Sequence, residues 1–312
     1  MKEDILINTI KSVIGDKYIG DDCAYLKDLG IVVSQDSLVE GVHFSMDYMT
    51  PYQLGYKSAM VNISDISASG GRGRYMTVAL SLPKNITSEF VKEFYEGLEK
   101  ALLEVSDIEV VGGDITGSDK IMVSVAIIGT TEGRKISSRK NAKTGQAIVV
   151  SGEHGSSACG LRLLQDQEKI TEDNKFCIYH HILPMAKVGF AEMISEKINE
   201  DYAMMDSSDG LADVLYKIAV ASDKTLVIDF EKVPYDKNIK NCFSDYKEMI
   251  LFGGEDYQII ATVPEKFAKE NRLTIIGHVE DKTKGAPVKI LNYDKDEKII
   301  NNLNNCFNHF MI

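Results

Sequence analysis

Carboxylates that recur behind apolar segments constrain this chain more than any other feature. The run Ile31-Val32-Val33 passes straight into Ser34-Gln35-Asp36-Ser37-Leu38-Val39-Glu40-Gly41-Val42-His43-Phe44, and Gly20-Asp21-Asp22 stands just upstream. The arrangement returns at Gly112-Gly113-Asp114, at Asp206-Ser207-Ser208-Asp209-Gly210 and at Gly253-Gly254-Glu255-Asp256, with Asp65 on a helical segment. One Asp beside Gly is an ordinary turn. Recurrence behind strand-like runs is a pattern, because unpaired carboxylates are costly to bury and strand ends can present them to cations or solvent. Hard oxygen ligands on rigid segments suit Mg²⁺, which takes a few carboxylates together with water and phosphate oxygens. Cysteine and histidine are too sparse for a zinc centre.

Around these acids, strand-like and helix-like segments alternate. Residues 5–14 have helical apolar spacing, broken at Gly15-Asp16. Thr50-Pro51 reads as an N-cap and first helical residue, opening a helix whose stripe holds Leu54, Ala59, Met60, Ile63 and Ile66 and which stops at Gly70-Gly71. Asn62 and Asp65, three apart, share a face of that helix. Residues 75–82 form a strand ended by Pro83, and Thr87 caps a helix striped with Phe90, Val91, Phe94, Leu98, Ala101, Leu102 and Val105. Short strands are expected at 31–33 and 108–111, each ending at its acid, with a longer one at 121–129. The second half supplies strands at 147–151, 226–230 and 258–263 and a helix at 211–221. The polar, basic stretch 134–145 marks a domain boundary, dividing the chain into 1–137 and 138–312. The fold class is α/β (α+β), and 312 residues, 44% of them apolar, suffice for two cores.

A formal net charge of −12 excludes a nucleic-acid-binding face but not a nucleotide, since metal ions mediate between acids and phosphate. No segment approaches the roughly 18 unbroken apolar residues of a membrane helix, and the N-terminus lacks a signal-peptide core. Cys23, Cys159, Cys177, Cys242 and Cys306 are odd in number and scattered, as in a reduced cytoplasmic protein. There is no Gly-x-x-x-x-Gly-Lys-Ser/Thr loop, no His-Arg-Asp kinase motif and no Gly-x-Ser-x-Gly elbow. The residues alone lead to a metal-dependent phosphate enzyme of unusual type.

Taken together, Gly20-Asp21-Asp22-Cys23-Ala24, the stretch from Gln35 to Phe44, Val61-Asn62-Ile63-Ser64-Asp65, Gly112-Gly113-Asp114, Asp206-Ser207-Ser208-Asp209-Gly210-Leu211 and Gly253-Gly254-Glu255-Asp256-Tyr257 resemble, in order, the motifs of the thiamine-monophosphate kinase family of the aminoimidazole ribonucleotide synthetase superfamily. The resemblance extends to Asn308-His309-Phe310. It implies transfer of a phosphoryl group from ATP to thiamine phosphate, and a two-domain fold whose N-terminal strands form a barrel across a homodimer. It implies several Mg²⁺ ions on Asp22, Ser34, Gln35, Asp36, Asp65, Asp114, Asp206 and Asp209. ATP would face Gly113, Asp114, Arg139 and Ser208, and thiamine phosphate would face His43, Glu255 and Phe307. Gln35 stands where the family usually has Thr or Ser, offering an amide oxygen in place of a hydroxyl. Phe307 replaces a Tyr or Trp and keeps an aromatic ring for packing.

The implied transfer is direct and in line. An acceptor phosphate already anionic at neutral pH needs no strong base, so none is assigned, and His43 is read as a substrate contact. Other members of the superfamily fit less well. A selenophosphate synthetase would carry a reactive Cys ahead of its Gly-rich loop, a hydrogenase maturation factor a C-terminal Cys, and the synthetase itself would lack Val-Glu-Gly-Val-His-Phe. A nucleotide-binding module without catalysis would not keep acids that repel phosphate and one another.

Overall fold

The computed structural model describes residues 3–105, 107–294 and 297–307. Helix α1 (Glu3–Ile14) ends at Gly15, whose φ of 82° is a left-handed stop. Strands β1 (Ala24–Leu26), β2 (Ile31–Val39), β3 (Arg72–Leu82), β4 (Glu109–Gly117) and β5 (Met122–Thr130) form one sheet in the order β1-β2-β5-β3-β4. Only β3 and β4 are parallel neighbours. Helix α2 (Pro51–Ser69) packs on this sheet, and α3 (Ser88–Val105) packs on α2.

Residues 131–145 lead to a second sheet. Its strands are β6 (Gln146–Val150), β7 (Ala203–Asp206), β8 (Lys224–Asp229), β9 (Ile259–Pro264), β10 (Thr274–Asp281), β11 (Val288–Leu291) and β12 (Lys298–Ile300), in the order β12-β11-β8-β10-β6-β9-β7. Helices α4 (Ser156–Gln165), α5 (Lys175–Ile182), α6 (Val188–Lys197), α7 (Leu211–Ser222), α8 (Lys237–Cys242), α9 (Tyr246–Phe252) and α10 (Glu265–Glu270) accompany it. The mixed α/β class expected from the alternation is what the chain forms. No helix among the described residues is long and apolar enough to cross a membrane, and Asn308-His309-Phe310 lie outside the described residues.

Helix α2 positions the site. Thr50 caps its start, Pro51 occupies the first turn and Gly70 ends it in the left-handed region, as its sequence leads one to expect, and Gln53 completes a reciprocal capping box with Thr50. The helix touches the first sheet and α3, and also β7, α5 and α6 of the second unit, so it is buried on nearly every side. Its crossing with α3 needs two glycines. A Cβ at Gly55 would lie 1.8 Å from the Phe94 carbonyl oxygen, and one at Gly97 would lie 1.8 Å from that of Tyr52.

Two expectations change. Strand β2 does not stop at Val33 but runs through the acidic stretch to Val39, pairing Ser34 with Ile127, Gln35 with Ala126 and Asp36 with Val125. Likewise β4 continues through Gly112-Gly113-Asp114 to Gly117. The reason is the same in both: these polar stretches lie on a sheet margin. β1 covers β2 only at Ile31–Val33, leaving the rest with one strand neighbour, and β4 is the sheet's last strand. Polar residues are tolerated there because one side faces outward.

Candidate active site

A cavity of about 510 Å³ lies between the two units. Asp22, Ser34, Asp36 and Asp65 line it from the first, Ser157, Ser208, Asp209, Lys217, Glu255 and Tyr257 from the second, and Arg139 from the segment between.

Its acidic end is assembled by α2. Ser34 Oγ donates to Asp65 Oδ2 at 2.6 Å and lies 3.1 Å from the Asp22 carbonyl oxygen. Asn62 Oδ1 accepts from the Asp36 amide at 3.0 Å, so the pair expected to share a face holds β2 at two points. Between them in sequence, Ser64 Oγ donates to Asp206 Oδ2 at 2.5 Å, reaching across to β7. Arg139 Nη2 meets Asp22 Oδ1 at 2.5 Å, and Asp21 fixes that loop by accepting from the Ser138 hydroxyl and the Arg139 amide.

The electrostatics call for a cation. Burial, and then the charge of Asp22, push Asp206 up to about 8. Burial followed by repulsion from Asp36, Asp206 and Asp22 holds Asp65 well above the ordinary carboxylate range. Burial also raises Asp22, against the opposing pull of Arg139. Asp206 Oδ1 is buried with no hydrogen-bond partner. All these donors are hard oxygens, and an orphaned carboxylate oxygen among repelling neighbours fits a divalent ion. Among the described residues, however, no three His, Cys, Asp or Glu side chains come together closely enough to hold a metal ion by themselves. Any ion held here must complete its shell with water or ligand oxygens, as Mg²⁺ usually does. Asp209 is paired with Lys217 at 3.3 Å, and Lys217 also meets Asp213 at 2.8 Å.

Part of the lining is aromatic. His43 Nδ1 accepts from the Val39 amide at 3.1 Å, which selects the tautomer protonated on Nε2. The rings of His43 and Phe307 lie 6.3 Å apart, tilted by 55°. Glu255 Oε2 sits 3.1 Å from the Nζ of fully buried Lys57 and 3.3 Å from His181 Nδ1. Burial, reinforced by Lys57, lowers His181 to about 4, keeping the ring neutral. Asp256 turns the other way, accepting from the Gly155 and Ser157 amides at 2.6 and 2.8 Å at the start of α4.

Asp22, Ser34, Asp36, Asp65, Asp209, His43, Glu255 and Phe307 therefore share one cavity with Arg139 and Ser208, and Asp206 is tied to it through Ser64. Gln35 lines the same cavity, though alternation along β2 turns its side chain to the face opposite Ser34 and Asp36, where its amide donates to Ser124 Oγ at 3.0 Å. Two expected residues depart from this set. Asp114 is exposed on β4 and does not line its own chain's cavity. Gly113 is explained by packing, since a Cβ there would lie 1.9 Å from the Val78 carbonyl oxygen. Lys57, His181, Ser64 and Lys217 were missed. Only Lys57 left a trace in the sequence: the one charged residue between Leu54 and Met60 on a helix with an apolar stripe.

Residues 20–131 match the family model described as AIR synthase related protein, N-terminal domain. The chain is 35% identical over 311 residues to the thiamine-monophosphate kinase of Bacillus subtilis, covering 95% of this chain and 94% of that one. It is 36% identical over 284 residues to the enzyme of that name from Aquifex aeolicus, covering 88% and 90%. The solved structure "AaThiL complexed with AMPPCP and TMP" superposes with a TM-score of 0.86 at 33% identity, covering 99% of this chain and 97% of the other.

Proposed function

This chain belongs to the thiamine-monophosphate kinase family, and from that premise we propose that its cavity transfers the γ-phosphoryl group of ATP to thiamine phosphate, giving ADP and thiamine diphosphate. The observation that carries the reading is the acidic cluster of the cavity: repelling buried carboxylates, one oxygen orphaned, next to an arginine, in a cavity that also holds the His43–Phe307 ring pair.

Asp22, Asp36, Asp65, Asp206 and Asp209, with Ser34 at their centre, would hold Mg²⁺. When bound, Mg²⁺ would neutralise the facing polyanions and draw donor and acceptor phosphates together. Arg139 and Ser208 line the ATP side, where a guanidinium offers paired donors to phosphate oxygens. His43 offers Nε2–H, Phe307 packs the thiamine rings, and Glu255 faces their cationic part. No base is assigned, because the acceptor phosphate is already anionic; positioning and electrostatics supply the rate.

A homodimer belongs to the same reading. Every residue of β4 is exposed, including Val110, Val111 and Ile115, and a bare apolar edge strand invites pairing with a second copy. Pairing there would extend the first sheets into a barrel. Because Asp114 and Gly113 lie outside their own chain's cavity, their roles toward Mg²⁺ and ATP would be played in the other copy's site. Division into units 1–137 and 138–312 belongs to the same reading, supported by two separate sheets, as does the cytoplasm, supported by free cysteines.

The test is purified protein with ATP, Mg²⁺ and thiamine phosphate. Absence of thiamine diphosphate would overturn the assignment, and undiminished product with the metal chelated would overturn the mechanism.

A further inference from the structure

The proposed acceptor contact, Glu255, is held by more than its immediate neighbours require. Its φ of 64° lies in the left-handed region, and Tyr257, two residues on, has a φ of 48°. Non-glycine residues keep such backbone only where surrounding structure imposes it, and it clusters at functional sites. Here the Glu255 amide donates to the Ser208 carbonyl at 2.7 Å. The side chain meets Lys57 Nζ at 3.1 Å and His181 Nδ1 at 3.3 Å, both through Oε2. Lys57 is anchored in turn by the His181 carbonyl at 3.2 Å, and His181 by Ser157 Oγ at 3.0 Å.

Lys57 has 0% side-chain exposure against 22% for Glu255. A lysine on the buried face of α2 is a poor choice for stability, since apolar residues of similar volume generally serve a core as well or better. What the pair does supply is a carboxylate of fixed orientation and balanced charge on the cavity wall. That matters in a cavity already crowded with acids: an unbalanced Glu255 would add to the field that an incoming phosphate must overcome.

We propose that Lys57 and His181 are positioning residues for the acceptor substrate, acting through Glu255. The proposal rests on the reading of the cavity as a thiamine phosphate site. It makes their effect specific: losing either partner frees the carboxylate to rotate and weakens thiamine phosphate binding, while the ATP side, held by other residues, is untouched.

The experiment measures binding of thiamine phosphate and of a non-hydrolysable ATP analogue by calorimetry with Mg²⁺. Wild type is first assayed for thiamine diphosphate formation, and failure there would overturn the underlying reading alone. Lys57→Met should weaken thiamine phosphate binding by about tenfold or more, with the ATP analogue changed by less than about twofold. His181→Leu should do the same, whereas His181→Asn, whose amide nitrogen can replace Nδ1, should recover most of the affinity. Combined with Glu255→Gln, Lys57→Met should add less than about twofold, as expected for residues acting through one another. Equal loss for both ligands, no loss for the acceptor, or a full Lys57→Met effect without the Glu255 carboxylate would each overturn the proposal. If Lys57→Met does not fold, the two His181 variants decide the matter.

Discussion

Asp206→Asn separates a cation site from a merely buried acid, because the two predict opposite changes in stability. Asp206 is raised from 3.8 to about 8 by burial and by Asp22. A folded-state value above the unfolded one means that stability is fully present below the ordinary carboxylate range and is lost as pH rises through about 8. At about 1.4 kcal/mol per pH unit, metal-free protein at neutral pH carries a penalty of roughly 4 kcal/mol at most. Burial is its main cause and Asp22 and Asp36 add repulsion, so replacing the carboxyl by an uncharged amide should relieve about 2 kcal/mol. Against this stands a cost of about 1 kcal/mol for an amide group placed where Oδ1 has no partner. The net gain of about 1 kcal/mol corresponds to a melting temperature about 2 °C higher. Melting curves from pH 5.5 to 8.5, with and without Mg²⁺, read this directly. Without metal, Asp206→Asn should be the more stable protein at pH 8, with a flatter pH profile. With Mg²⁺ the wild type should gain stability and the variant should gain little, and turnover should fall by about 100-fold or more. A variant less stable than wild type at pH 8, or one stabilised by Mg²⁺ to the same extent, would refute the reasoning.

Asp36→Asn should fold normally, because the backbone bond to Asn62 survives, yet lose most activity; near-normal turnover would exclude Asp36 from the metal cluster. Ile115→Glu puts a charge on the exposed face of β4 and should yield a monomer with sharply reduced turnover, and an unchanged mass by sedimentation would exclude β4 as the interface. Gly97→Ala, driving a methyl group into the Tyr52 carbonyl, should cost about 1–3 kcal/mol in a denaturant titration without altering which substrates are used. An unchanged midpoint would show that the two helices can part without cost.

The sequence made some parts of this molecule legible because their causes are local. Thr50, Gln53 and Gly70 delimit α2 by hydrogen bonds and backbone preferences that span four residues or fewer. The acids were legible as a set, and most of them do meet around one cavity. Which face each occupies was not. Gln35 and Asp36 are adjacent letters whose side chains take opposite faces of a strand, and that alternation does not show where the strand is expected to end at Val33. β4 was cut short for a similar reason: Gly112-Gly113 looks like a turn, and only the contact with Val78 on the neighbouring strand shows why glycine is there. Lys57 and His181 are 124 residues apart, and nothing local in either joins them to Glu255.

Helix α2 gives these arrangements a common fate. Its residues 57, 62, 64 and 65 touch, respectively, Glu255, the Asp36 backbone, Asp206 and Ser34. Small displacements at these four contacts are therefore correlated: a slide or rotation of the one rod moves every contact together, preserving their spacing along it. Variation that shifts α2 as a whole should consequently be far easier to correct by a compensating change at one end of the helix than variation that alters any single contact.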